Sequence, residues 1–151
     1  MQPLRTCDEI MTANPTCCLP TDTVKHVAQL MRDKDVGSIP VVGNLRSKRL
    51  IGIVTDRDLV LSVLAEGRNG LDVTIEQVMT RNPVTCRQYD DMRYALNIMS
   101  THQVRRIPVV NEIREVIGII AQADIAIRAD QADKTADVIE DISKPDVAKR
   151  Y

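Results

Sequence analysis

Aromatic side chains are nearly missing from this chain, which has three tyrosines, no tryptophan and no phenylalanine among its 151 residues. The shortage argues against a binder of single-stranded nucleic acid, because such proteins stack bases on aromatic rings. It also leaves Val, Ile, Leu, Met and Ala to build the core. A surplus of one charge is missing too: 20 basic residues stand against 21 acidic ones, a net charge of -1. The footprint of a DNA-binding or membrane-surface protein is therefore absent. No apolar run approaches the roughly 18 residues of a membrane span. Met1-Gln2-Pro3-Leu4-Arg5 opens no apolar signal segment, so the expected compartment is cytoplasmic. Cysteine is scarce, and Cys7, Cys17, Cys18 and Cys86 form no Cys-x-x-Cys pair; only His26 and His102 could add imidazole. The plain reading is four free thiols, mostly buried as small apolar groups, with no metal site. A disulfide or zinc site joining Cys17-Cys18 to Cys86 is the lesser alternative.

What the chain does have is an internal repeat. Ile10-Met11-Thr12 and Asn14-Pro15 return 68 residues later (11 to 79) as Val78-Met79-Thr80 and Asn82-Pro83. Cys18, Asp22 and Met31 return at the same shift as Cys86, Asp90 and Met99. Val36 to Val42 returns as Val104 to Val110. Beyond that the shift is 66 (52 to 118), matching Ile51-Gly52-Ile53 with Ile117-Gly118-Ile119 and Asp58 with Asp124, so the first copy holds two extra residues near Asn44 to Arg49. Self-similarity on this scale identifies two copies of one supersecondary unit.

Each copy runs through the same periodicities. A short extended stretch, Thr16 to Leu19 or Val84 to Cys86, leads to a helix-start signal near Asp22 or Asp90. Val24, Val27, Ala28 and Met31 then mark one helical face, as do Met92, Ala95, Leu96 and Met99. Two β-branched runs follow, Ile39 to Val42 with Leu50 to Thr55, and Ile107 to Val110 with Val116 to Ile120. A second helix begins near Asp56 and near Gln122, with Leu59, Val60, Val63 and Leu64 as its buried side in the first copy. The fold class is α/β (α+β), two β-α-β-β-α repeats over residues 7–66 and 75–130. Residues 67–74 form a linker, and residues 131–151 a tail with one short helix from Asp133 to Ser143.

Two such copies, each with Pro-Val-Val after the first helix and a Gly-x-x-x-x-x-Asp pattern leaving the last strand, resemble a CBS-domain pair, or Bateman module. His102-Gln103-Val104-Arg105-Arg106-Ile107-Pro108-Val109 and Gly52-Ile53-Val54-Thr55-Asp56-Arg57-Asp58 are similar to the small stand-alone members, the hypoxic-response type among them. The resemblance implies two three-stranded sheets packed with pseudo-twofold symmetry, commonly as a homodimer. It also implies clefts for an adenine nucleotide or S-adenosylmethionine, with AMP the leading candidate and no cofactor required.

At Thr55-Asp56-Arg57-Asp58 a strand ends and a helix begins, so unpaired N–H groups there would face an anion. The Thr55 hydroxyl would meet the phosphate, and the Asp58 carboxylate would accept from the ribose hydroxyls. The plainer alternatives are an N-cap for Thr55 and a first-turn acid on the helix dipole for Asp58. Asp124 repeats Asp58, but Ala121, Gln122 and Ala123 replace Thr55, Asp56 and Arg57. The second cleft should bind less tightly or take a less charged ligand. By resemblance the base lies against Val36-Gly37-Ser38-Ile39-Pro40 and Val104-Arg105-Arg106-Ile107-Pro108, with Gly37 allowing close approach. Thr16 and Val84 would close the other side, or merely pack at a strand edge. Arg57, Arg105 and Arg106 are the candidate phosphate partners. His26 and His102 read as surface or helix-end residues.

No nucleophile elbow, P-loop or paired carboxylates point to an enzyme. The competing function is a ligand-free dimeric scaffold, with an apolar face on the second helices as its contact. With a ligand bound, regulation would act on an effector protein in trans.

Overall fold

Two helices against a small sheet are what each repeat's periodicity produces, and the computed structural model describes residues 5–128. In chain order the elements are α1 (Cys7–Ile10), β1 (Thr12–Ala13), α2 (Val24–Lys34), β2 (Ser38–Val42), β3 (Leu50–Thr55), α3 (Asp56–Leu59), β4 (Thr80–Arg81), β5 (Cys86–Arg87), α4 (Met92–His102), β6 (Arg106–Val110), β7 (Val116–Ala121) and α5 (Gln122–Arg128). A π-helical turn, Val60–Leu64, continues α3, and a 3-10 turn spans Ile75–Gln77. The helix expected from Asp133 to Ser143 lies outside the described residues.

The duplication extends to the backbone. Left-handed φ angles occur at Asn14, Asp35 and Lys48 and again at Asn82, Gln103 and Arg114. The β2–β3 register shifts between Val41 and Val42, and the β6–β7 register between Val109 and Val110. Pro40 lies within β2 without disrupting it, because the neighbouring segment needs only its carbonyl, which accepts from Cys18 N–H at 3.0 Å.

Packing cuts the chain at different places from the repeat. Residues 15–83 form one compact unit; residues 5–14 join residues 84–128 in the other. The opening segment of each copy is responsible. Thr12 and Ala13 pair with Ile119 and Gly118 of β7, whereas Thr80 and Arg81 pair with Ile53 and Gly52 of β3. The sheets run β2-β3-β4 in the first unit and β1-β7-β6-β5 in the second. The expectation of two three-stranded sheets is corrected on this point. Cys86 and Arg87 pair with two residues of β6, but their counterpart Cys18 makes only a single parallel bridge to Val41.

The helix faces fall largely as expected, with three corrections. Val24, Val27 and Met31 are buried in α2, and Met92, Ala95, Leu96 and Met99 in α4. Ala28, which stands where α4 has Leu96, is instead exposed. Leu59 and Val63 are buried, but Val60 is 49% and Leu64 73% exposed. The buried side is thus a narrow stripe, Leu59 and Val63 four apart, with Val60 and Leu64 beside it. Beyond it the backbone follows a π turn, in which Ala65 N–H donates to Val60 O (2.8 Å) and Arg68 N–H to Val63 O (3.0 Å). The expected start signals also sit one residue early. Thr23 and Asp91 are the N-caps of α2 and α4, while Asp22 and Asp90 accept from Leu19 N–H (2.9 Å) and Arg87 N–H (2.8 Å) in the preceding turn.

Candidate functional site

The residues singled out in the first copy all lie within the first unit, and Gly37, Ser38, Thr55 and Asp56 come together at the end of β3. Ser38 is paired with Thr55 across the ladder, and Asp56 N–H donates to Gly37 O at 2.9 Å. On the far side of β2, Cys18 bridges Val41, which puts Thr16 two residues upstream of that edge. Ser38, Ile39 and Pro40 are buried, and Val36 is exposed. The Ile39 side chain therefore belongs to the core.

At the turn itself, Thr55 and Asp58 form a capping box. Thr55 Oγ1 accepts from Asp58 N–H (3.2 Å), and Asp58 Oδ2 accepts from Thr55 N–H (2.9 Å). Arg57 N–H donates to Asp56 Oδ1 at 2.8 Å. The expected row of unpaired N–H groups is therefore corrected: those of Asp56, Arg57 and Asp58 all have acceptors within the chain. Thr55 is only 3% exposed, which places its hydroxyl in the cap rather than at the surface. Arg57 is exposed. Asp58 is half-buried, and burial pushes its pKa up against the opposing effect of the Thr55 hydrogen bonds.

The second unit builds half of this turn. Gln122 N–H donates to Arg105 O (3.0 Å) and Ala121 N–H to Asp124 Oδ2 (2.9 Å), so Asp124 is held as Asp58 is, without the hydroxyl. Arg106 pairs with Ala121, Arg105 is exposed, and Val104, Ile107 and Pro108 are buried. Val84 is half-buried two residues before β5. The reading of the residues missed the Gln122 amide, whose Oε1 is buried with no hydrogen-bond partner among the described residues. The N-cap offered as the plainer alternative for Thr55 is what the structure shows, with Asp58 supplying the reciprocal half of the box. His26 and His102 are exposed on their helices. A separate apolar groove of about 360 Å³, lined by Val24, Ala28, Val60, Val63, Leu64 and Leu71 among others, contains none of the expected site residues. Among the described residues, no three His, Cys, Asp or Glu side chains converge to hold a metal ion. Nor is any described helix long and apolar enough to cross a membrane.

Duplicated strand–turn–helix units, each fixing an aspartate at the same turn, define a tandem-repeat α/β module. The CBS domain family model matches residues 7–65 and 75–129, and the chain belongs to the CBS-domain family as a pair of such domains. It is 37% identical over 123 residues to hypoxic response protein 1 of Mycobacterium tuberculosis, which covers 82% of this chain and 84% of that one. The crystal structure of Hypoxic Response Protein I with two coordinated zinc ions matches with a TM-score of 0.73 at 35% identity, over 82% of this chain and 98% of that chain. The CBS domain pair of MJ0100, in complex with 5'-methylthioadenosine and S-adenosyl-L-methionine, matches at 0.73 and 26% identity, over 83% and 95% of the two chains. CBSX2, a protein of Arabidopsis thaliana, in complex with AMP matches at 0.70 and 26% identity, over 83% and 96%. CBS pairs are in general regulatory modules rather than catalysts.

Proposed function

We propose that this chain is a non-catalytic sensor that binds an adenosine-containing ligand, AMP foremost, at the strand-to-helix turn of each repeat. The observation that carries this reading is the state of Asp58. Its carboxylate is held in place by the Thr55 backbone N–H and sits half-buried at the turn, where burial raises its pKa. A fixed, partly desolvated acceptor suits the two adjacent hydroxyls of a ribose. Asp124 is fixed in the same way by Ala121 N–H, so both turns can accept a ribose. They differ in charge. Arg57 beside the first turn offers a guanidinium to a 5'-phosphate; Ala123 at the second offers nothing comparable, and a less charged adenosine derivative suits it better. The AMP and S-adenosyl-L-methionine complexes of the related CBS pairs support both halves of this reading.

With the helix N–H groups already satisfied, phosphate affinity rests on Arg57, and the ribose contact supplies most of the selectivity. The exposed apolar face at Val60, Leu64 and Leu71 favours a homodimer, and an effector protein in trans would receive the signal in the cytoplasm. The test is a thermal-shift panel of AMP, ADP, ATP and S-adenosylmethionine. A ligand at 100 times its Kd adds about 2.7 kcal/mol to the folded state. AMP should raise Tm in the wild type and much less in Asp58→Asn. A flat response to every ligand would sink the sensor reading and leave the dimeric scaffold.

A further inference from the structure

Cys7 and Cys86 are 79 positions apart in sequence (7 to 86), yet they are buried together in the second unit, at 0% and 1% exposure. The backbone brings them there. Cys7 N–H donates to Asp90 O (2.8 Å), Asp8 N–H to Gln88 O (2.9 Å), and Met92 N–H to Arg5 O (2.9 Å). Thr6 also bridges Asp91 in antiparallel fashion. Helix α1 is thereby laid along the loop that connects β5 to α4, and its first side chain reaches the β5 residue Cys86. The two thiols are close enough for Cys7 to raise the pKa of Cys86.

The other repeat shows that packing alone does not require this pair. At the same shift of 68, the counterpart of Cys86 is Cys18 and the counterpart of Cys7 is Ile75, and both lie in the apolar core of the first unit. An aliphatic side chain fills that place there. A thiol in its stead adds reactivity without adding apolar volume.

We propose that Cys7 and Cys86 form a reversible intramolecular disulfide, an oxidation site that staples residues 5–14 to the sheet of the second unit. With hydrogen peroxide as oxidant, one thiolate attacks the peroxide oxygen and becomes a sulfenic acid, releasing hydroxide, which takes up the thiol's proton to leave as water. The second thiol loses its proton, its sulfur attacks the sulfenic sulfur, and hydroxide leaves to form the second water. Two thiols and one peroxide thus give one disulfide and two waters. A dithiol reductant returns the pair to thiols by exchange. The Cys7 thiol and burial push the Cys86 thiol's pKa up, so Cys86 is protonated and slow to react while the site is closed. Opening of α1, a helix of only four residues, is the gate.

The inference is independent of nucleotide binding, and its test needs no ligand. The full chain is incubated with hydrogen peroxide or a glutathione redox buffer, quenched with an alkylating reagent, and mapped by mass spectrometry without reduction. The expected product is a Cys7–Cys86 linked peptide in the monomeric mass range, with Tm raised by on the order of 10 °C for a closed loop of about 80 residues. Dithiothreitol should reverse both. Cys7→Ile, which copies the other repeat, and Cys86→Ala should each abolish the link and the shift, whereas Cys17→Ser should keep them. Alkylation of both Cys7 and Cys86 after equilibration, with Cys17 or Cys18 carrying the oxidation, overturns the proposal. The wild-type peptide map decides the matter even if a variant fails to fold.

Discussion

Asp58 has two roles that one substitution separates. As an acceptor it closes the capping box, and as an ionisable group it is pushed towards its protonated form by burial. A carboxyl whose folded pKa is raised binds its proton more tightly in the folded state. Its contribution therefore favours the fold at low pH and is lost as pH rises from the unfolded value through the folded one. Asp58→Asn keeps an amide oxygen for Thr55 N–H but cannot ionise. Urea unfolding measured across the acid range should show the wild type losing stability relative to this variant as pH climbs above the ordinary aspartate value. A constant difference between the two proteins would show that Asp58 is not perturbed. The same variant should bind AMP poorly at neutral pH, because an asparagine offers one acceptor where the ribose uses a carboxylate.

At the scale of elements, Thr55→Ala tests how much the turn depends on its cap. The substitution removes the acceptor of Asp58 N–H and turns the first repeat's Thr-x-x-Asp into the Ala-x-x-Asp that the second repeat already has. Loss of such a cap costs about 1 kcal/mol, to be read as a lower urea midpoint at unchanged slope. An unchanged midpoint would mean that the following turn is held by Leu59 and Val63 in the core. The elements also show what the sequence made legible. Strands β2, β3, β6 and β7 stand out because their β-branched runs are short and bounded by turn residues. The faces of α2 and α4 follow from 3.6-residue spacing. Val60 and Leu64 were misread because this helix buries only the narrow stripe of Leu59 and Val63, and apolar spacing alone does not say how wide the buried face is. At the candidate site, the two neighbouring β-branched runs made the β2–β3 pair legible, and with it Ser38 opposite Thr55. The neutralised helix N-terminus was not, because which acceptor each N–H finds depends on tertiary contacts such as Gly37 O.

At the scale of the whole molecule, the copies exchange their opening segments. The repeated Ile-Met-Thr and Ile-Gly-Ile motifs were visible in the sequence, but not that they meet crosswise, since a repeat says what recurs and not which copy it touches. Met79 lies on Gly52 in one unit, and Met11 lies on Gly118 in the other. Glycine is required at these strand positions by space rather than by φ. A Cβ at Gly52 would come within 2.8 Å of both Met79 Sδ and Thr80 O, and the second of these is backbone, fixed by the β3–β4 pairing, which cannot swing aside. Gly52→Ala should therefore force β4 away from β3 and cost roughly 1–3 kcal/mol, as overpacking of a filled site does. Gly43→Ala, where nothing lies within 4 Å, is the matched surface change and should cost far less. Hydrogen exchange locates the effect: Asn82 N–H, which donates to Ile51 O, should lose protection in Gly52→Ala, while Asn14 N–H, which donates to Ile117 O, keeps its own. Adding Met79→Ala to Gly52→Ala should recover only part of the loss, because the Thr80 carbonyl stays in the way. Full recovery would place the constraint in the methionine side chain alone and deny that the exchanged strand is seated by its backbone.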